Sequence, residues 1–228
     1  MPNELIWLLM ALVDFLTLLL VYRIFGKEGL FVAIVISIIL CNIQVLKIVE
    51  LFGLTATLGN ILYGSIFLST DILSEIYGKK AARRGVWFGF YALIFTTVMM
   101  QLAMMFKPAP DDFIDPSLRQ IFSFLPRVAA ASICAYLVSQ MHDIWLYHIL
   151  KDRTRGRHLW LRNNATTMMS QLIDSIIFCF IAFWGVFPTN TFLEILLTTY
   201  LFKWMVAVLD TPFIYLARKI TRHNDQAA

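Results

Sequence analysis

The sequence predicts an all-α, polytopic membrane protein. Hydrophobic residues fill 59% of its 228 positions, charged residues only 15%, and the mean hydropathy is +0.72, outside the range of soluble domains. The apolar residues also cluster in stretches of about 20, the length that crosses a bilayer as a helix, separated by short polar connections. The 19 Phe and 6 Trp suit lipid and its interfaces. The formal charge of +4 sits in short loops between apolar runs, which is a topology signal, so no nucleic-acid partner is expected.

Spans are expected near 4–25, 29–51, 57–77, 85–106, 124–150, 164–186 and 191–217, seven in all. The first run, LIWLLMALVDFLTLLLVYRIF, has no basic leader and is long enough to span, which predicts a retained helix rather than a cleaved signal. The third ends in TDILSEIYGKKAARR, where two acids one turn apart are followed by four cations. Between the fourth and fifth, KPAPDDFIDPSLRQ carries three prolines and three aspartates and reads as a loop.

Loop charge fixes the direction. Arg23 and Lys27 follow the first span; Lys79, Lys80, Arg83 and Arg84 follow the third; Lys151, Arg153, Arg155, Arg157 and Arg162 follow the fifth; Arg218, Lys219 and Arg222 follow the seventh. The opposite loops hold only Lys107 and Arg119, beside Asp111, Asp112 and Asp115. The positive-inside rule therefore predicts an outer N-terminus and a cytoplasmic C-terminus.

A charge at the bilayer centre costs at least about 2.5 kcal/mol, so intramembrane polar groups face the bundle interior and mark a site or a pathway. Five spans carry them. They are Asn42, Gln44, Lys47 and Glu50 on the second; Asn60, Tyr63, Thr70, Asp71 and Glu75 on the third; Arg127, Gln140 and Asp143 on the fifth; Gln171 and Asp174 on the sixth; Lys203 and Asp210 on the seventh. Spacings of three, four, seven or eight put the members of each set on shared helix faces. Counting residues along each span places Asp174 and Lys203 near the midplane. Asn42, Gln44 and Lys47 then run outward from the middle, Glu50 and Arg127 lie near the outer surface, and Asp71, Glu75, Asp143 and Asp210 lie in the inner half. Single pairs such as Lys203–Asp174 or Lys47–Glu50 also admit a purely structural, charge-neutralising role. The whole set is better explained by a polar cavity. Asp14 and Gln101 leave the first and fourth spans looking peripheral, and Asp14 has no evident partner.

The chain shows no P-loop, dinucleotide fingerprint or serine-hydrolase elbow. His142 and His148 are six apart and point to different faces, and Cys41, Cys134 and Cys179 show no CxxC spacing, so neither a metal, a cofactor nor a disulfide is expected. An intramembrane phosphotransferase would need two aspartate pairs, and the second is missing. The sequence predicts a small-solute carrier rather than an enzyme.

Four segments carry a family resemblance: TDILSEIYGKKAARRGVWFGF, RVAAASICAYLVSQMHDIWLYHILK, RNNATTMMSQLIDSIIFCFIAFWG and YLFKWMVAVLDTPFIYLAR. Together they are similar to the queuosine precursor transporter family, also called the vitamin uptake transporter family, over about residues 29 to 220. The resemblance implies uptake of 7-deazaguanines, chiefly preQ0 and preQ1, or of queuine or the nucleoside, across a bacterial inner (plasma) membrane for tRNA modification. It implies a six-helix core at 29–220, like the substrate-binding subunits of energy-coupling-factor importers, preceded by an added helix at 1–28 and followed by a cytoplasmic tail at 221–228. A substrate-capturing subunit working with a separate ATPase module is the alternative, as is a carrier of another heterocycle. The AxxxA docking pattern of those importers is not apparent in the first two spans, which favours a solitary carrier; oligomeric state stays open.

For such a base, a carboxylate accepts from N1–H and the exocyclic amino group while O6 takes a donor. Asp174 with Gln171, facing Asn42, Gln44 and Lys47, meets this need, with Glu50 as a second acid, Asn60 beside them and Lys203 donating to O6 or holding Asp174 ionised. Tyr63 and Phe67 are stacking surfaces. Asp71 and Glu75, with Arg127, Gln140, Asp143 and Asp210, are expected in gating or coupling, Asp71 and Glu75 pairing with cations such as Arg83 or Arg84 in one conformation or, alternatively, capping a rigid structural hinge.

Overall fold

A computed structural model describes residues 1–153 and 159–227, with side chains outside 140, 143–148, 150–167, 207, 211 and 221–228. Its order is α1 (Asn3–Gln44), β1 (Ile48–Leu51), β2 (Leu54–Thr57), α2 (Asn60–Tyr77), α3 (Lys79–Ala103), α4 (Asp115–Phe122), α5 (Leu125–Arg153), α6 (Leu159–Phe183) and α7 (Thr189–Ala227). Four stretches among the described residues are long and apolar enough to cross a membrane: Asn3–Gln44, Lys79–Ala103, Asp115–Ser139 and Thr189–Ile220. Met168–Phe183 is a shorter apolar helix. The protein is a helical, polytopic membrane protein.

The 42 residues of α1 form two limbs rather than one rod. At about 1.5 Å per residue a straight helix of that length would be about 63 Å long, twice a bilayer core of about 30 Å. The chain breaks at Gly26, whose φ of 58° and ψ of −134° suit glycine. It then folds back. A Cβ on Gly29 would lie 2.6 Å from the carbonyl oxygen of Val21, and the Asn3 amide donates to the Glu50 carbonyl at 2.9 Å. The limbs are therefore antiparallel and correspond to the first two expected spans.

The first limb is not peripheral. Trp7, Ala11, Phe15 and Leu18 pack with Leu30 and Ile34 of the second limb, Ile61 and Leu68 of α2, and Phe202 and Val206 of α7 in the largest apolar cluster. Asp14 also has a partner, since it accepts from the Ser65 hydroxyl. A second cluster joins Val128, Ala131 and Ala135 of α5 to Phe178, Ala182 and Phe183 of α6, small residues letting the two helices approach.

Several expectations are corrected. The second span ends at Gln44, not residue 51, and IVELFGLTAT forms an antiparallel hairpin with Ile48 opposite Thr57 and Leu51 opposite Leu54. Phe52 and Gly53 make its turn, both at positive φ (54° and 74°), the pattern of a two-residue type I′ connection. Lys47 and Glu50 are therefore not helical and share no helix stripe with Asn42; both are exposed at the hairpin. The expected loop at 107–120 holds the start of α4, with Pro in its first turn and Asp112 accepting from the amides of Ile114 and Asp115 at 3.0 and 3.1 Å. Helix α7 runs on to Ala227, so the stretch expected as a tail is helical up to that residue.

Candidate functional site

The site lies where α1, α2, α5, α6 and α7 meet. Its centre is the carboxylate of Asp174, buried on α6. The Lys203 ammonium on α7 bonds to its Oδ2, and both side chains are almost fully enclosed (6% and 4% exposed). The Tyr63 hydroxyl on α2 donates to the same oxygen at 3.0 Å, while among the described residues Oδ1 accepts from the Ser139 hydroxyl alone, at 3.5 Å. Lys203 Nζ also lies 4.2 Å from the Tyr63 ring centroid and 5.8 Å from that of Phe178. Two ions out of water are tolerated because each is paired with the other, Tyr63 donates to the carboxylate, and the ammonium lies against two rings.

Beside this group lies a second polar pair. Asn42 donates to the Ile38 carbonyl at 2.7 Å, and its Oδ1 accepts from Ser132 on α5 at 2.7 Å. Asn60 donates to the Thr57 carbonyl at 3.2 Å, and Gly59 before it has φ 99°. Asn42, Asn60, Tyr63, Ser132, Asp174 and Lys203 line one cavity of about 30 Å³. Ligand pockets for small molecules usually hold about 300 Å³ or more. The cavity is therefore closed to a ligand of that size.

Sequence comparison decides the family. The pattern of the family described as "putative vitamin uptake transporter" matches residues 57–217. The chain belongs to this family. It is 43% identical to a "probable queuosine precursor transporter" of Bacillus subtilis over the full length of both chains. It is 30% identical to the "queuosine precursor transporter" of Escherichia coli, covering 70% of this chain and 71% of the relative. A "probable queuosine precursor transporter" of Haemophilus influenzae is 23% identical over 69% of this chain and 66% of its own. No solved structure matches significantly. The family and the apolar helices together make the chain a multi-pass protein of the bacterial inner membrane.

The family match begins at the end of the hairpin, yet α1, ahead of it, supplies Asn42 and Cys41 to the cavity. Of the residues expected to bind substrate, Asn42, Asn60, Tyr63, Asp174 and Lys203 converge there, and Phe67 packs edge-on to Tyr63 with centroids 4.9 Å apart. Gln44 and Gln171 do not line the cavity; each has a buried side-chain oxygen with no hydrogen-bond partner. Lys47 and Glu50 stand outside it on the exposed hairpin.

Among the residues expected in gating, Arg127 donates to the carbonyls of Ile181 and Trp184 at 2.7 and 2.6 Å, which satisfies the open C-terminal end of α6. Glu75 pairs with Arg218 of α7, not with Arg83 or Arg84, and the pair is half exposed. Asp71 lines a cleft of about 600 Å³, and buried Asp210 lies within Coulombic range of it. Gln140 and Asp143 fall outside the described side chains. Sequence reasoning missed Ser132 and Ser139, although their spacing of seven on α5 puts them on one helix face, and missed Thr199, one turn before Lys203.

Proposed function

We propose that the chain imports a 7-deazaguanine precursor of queuosine, such as preQ0 or preQ1, acting alone and without catalysing a chemical reaction. The observation that carries this reading is the buried Asp174–Lys203–Tyr63 cluster in a chain whose relatives are named queuosine precursor transporters. A flat base with an N1–H and an amino group needs a carboxylate edge, and among the described residues Asp174 Oδ1 is the less occupied of its two oxygens. Lys203, leaving Oδ2, is the donor for O6, while the rings of Tyr63 and Phe178 supply a stacking face. Asn42 and Asn60 offer amides to the remaining edge.

We place seven spans in this carrier, counting both limbs of α1, with the N-terminus outside and the C-terminus in the cytoplasm. The loop charges support that orientation. The resemblance of residues 29–220 to energy-coupling-factor subunits supports a shared six-helix core without requiring their ATPase. In this account Asp71, Glu75 and Asp210 serve the cytoplasmic side. The Glu75–Arg218 pair is exposed, and such pairs contribute at most about 1 kcal/mol, so it can break during a transport cycle.

The test is queuosine in tRNA from cells that neither make nor import precursors. Each precursor is supplied separately at nanomolar concentration, with and without this gene. Restored modification with at least one 7-deazaguanine is expected. No restoration with any of them, with the protein present in the membrane, contradicts the proposal.

A further inference from the structure

Three cavities run in series from the site toward the basic end of the bundle. The central one shares Cys41, Asn42, Tyr63 and Ser132 with a second cavity of about 40 Å³. That cavity shares Phe67, Thr70, Val86, Phe90 and Tyr136 with a third, an open cleft of about 600 Å³. Asp71, Ser74, Lys79 and Arg83 are among the residues lining the cleft, which puts it at the end of the bundle that bears the KKAARR cluster. Its size is that of a solute vestibule, whereas the two inner cavities hold only a few water-sized spaces.

The two ends are closed by different means. Toward the hairpin the closure is made by hydrogen bonds of the hairpin backbone and its flanks, one to backbone and two to side chains of α7. The Leu58 amide donates to the Lys47 carbonyl at 3.0 Å, and Thr198 of α7 donates to the Thr55 carbonyl at 3.0 Å. The Thr55 amide donates to Glu194 at 3.3 Å. Toward the basic end the second and third cavities are parted mainly by side chains. Phe90 of α3 meets Tyr136 of α5 edge-on with centroids 5.2 Å apart, and Phe67 of α2 completes the wall. Ring side chains can swing about χ1 without breaking secondary structure, while moving the hairpin means giving up its bonds to α7.

We infer that Phe67, Phe90 and Tyr136 form the constriction through which solute leaves the site, and that the cleft lined by Asp71 and Arg83 is its exit vestibule. This rests on the carrier reading, and the side called cytoplasmic follows from the basic cluster. The constriction separates the Asp174 site from the cleft in the closed form and opens by ring displacement. Phe67 then acts in the exit path rather than as a stacking surface for bound substrate.

Cys41 lines both inner cavities and is a native reporter for this route. The experiment uses full-length protein carrying Cys134→Ser and Cys179→Ala, in membrane vesicles of each orientation. The rate of Cys41 modification by a membrane-impermeant thiol reagent is divided by that for membrane-permeant N-ethylmaleimide, which cancels intrinsic reactivity. Phe90→Ala, and the milder Phe90→Leu and Tyr136→Leu, should each raise the normalised rate by about tenfold or more from the KKAARR side only. A Ser74→Cys reporter in the vestibule should react quickly from that side in every variant. If Ser74→Cys reacts from that side while Cys41 stays protected in all three variants, the constriction is wrong. If Cys41 becomes reachable equally from the hairpin side, the route is wrong. Because the readout is labelling, a failure of solute uptake would count against the carrier reading and leave this result separate.

Discussion

Replacing Asp174 by asparagine abolishes transport and lowers the stability of the folded protein by about 3–5 kcal/mol, the usual cost of leaving a buried ion without its partner. The ion left behind is Lys203, 6% exposed and enclosed by the Tyr63 and Phe178 rings. Neither ring can replace a carboxylate. The two losses separate in a double variant: Asp174→Asn with Lys203→Met removes both charges and recovers much of the stability, because an apolar side chain suits that cavity better than a lone ammonium. Transport does not recover, since the acceptor edge is gone. Melting of purified protein and uptake at matched membrane levels read the two effects. Uptake by Asp174→Asn close to that of the unaltered protein would remove the carboxylate from recognition.

Gly29→Ala strips most of the folded protein from the membrane. The added Cβ would stand 2.6 Å from the Val21 carbonyl oxygen and 3.0 Å from its carbon, both backbone atoms of the opposing limb. Overpacking against side chains costs about 1–3 kcal/mol, and here no rotamer change relieves it. The limbs must part, which pulls Phe15 and Leu18 away from Leu30 and Ile34 in the largest apolar cluster. Gly185→Ala is the comparison. It has φ 77° but nothing within 4 Å of the new Cβ, so it carries only the backbone strain of about 1–2 kcal/mol. Fluorescence-detected elution and thermal melts should rank Gly29→Ala as far more damaging. Equal behaviour of the two variants would mean that the limbs can part cheaply.

The helical class and much of the candidate cavity were legible in the sequence, for a physical reason: charge is so costly in lipid that Asp174 and Lys203 announce themselves in apolar runs. Asn42, Asn60 and Tyr63 came with them to one cavity. The hairpin was not legible because IVELFGLTAT is as apolar as a span, and its turn uses Phe52 at positive φ instead of the Asn-Gly that usually marks such turns. Lys47 and Glu50 were misplaced as a consequence. Ser132 and Ser139 carry no charge, so a search for costly groups passes over them, although both bond to the site. Arg127 shows the converse error: a buried-looking cation can serve a helix end, here the carbonyls of Ile181 and Trp184. The partners of Glu75 and Asp14, Arg218 and Ser65, come from helices far off in sequence, which spacing along one helix cannot reveal.

The most direct test of a solitary carrier is uptake of a radiolabelled 7-deazaguanine into liposomes containing the purified chain and no other protein. Saturable uptake above that of empty liposomes, lost in Asp174→Asn, is the predicted result. Uptake equal to that of empty liposomes, under an imposed proton or sodium gradient as well as without one, would contradict the account and transfer the work of import to a partner.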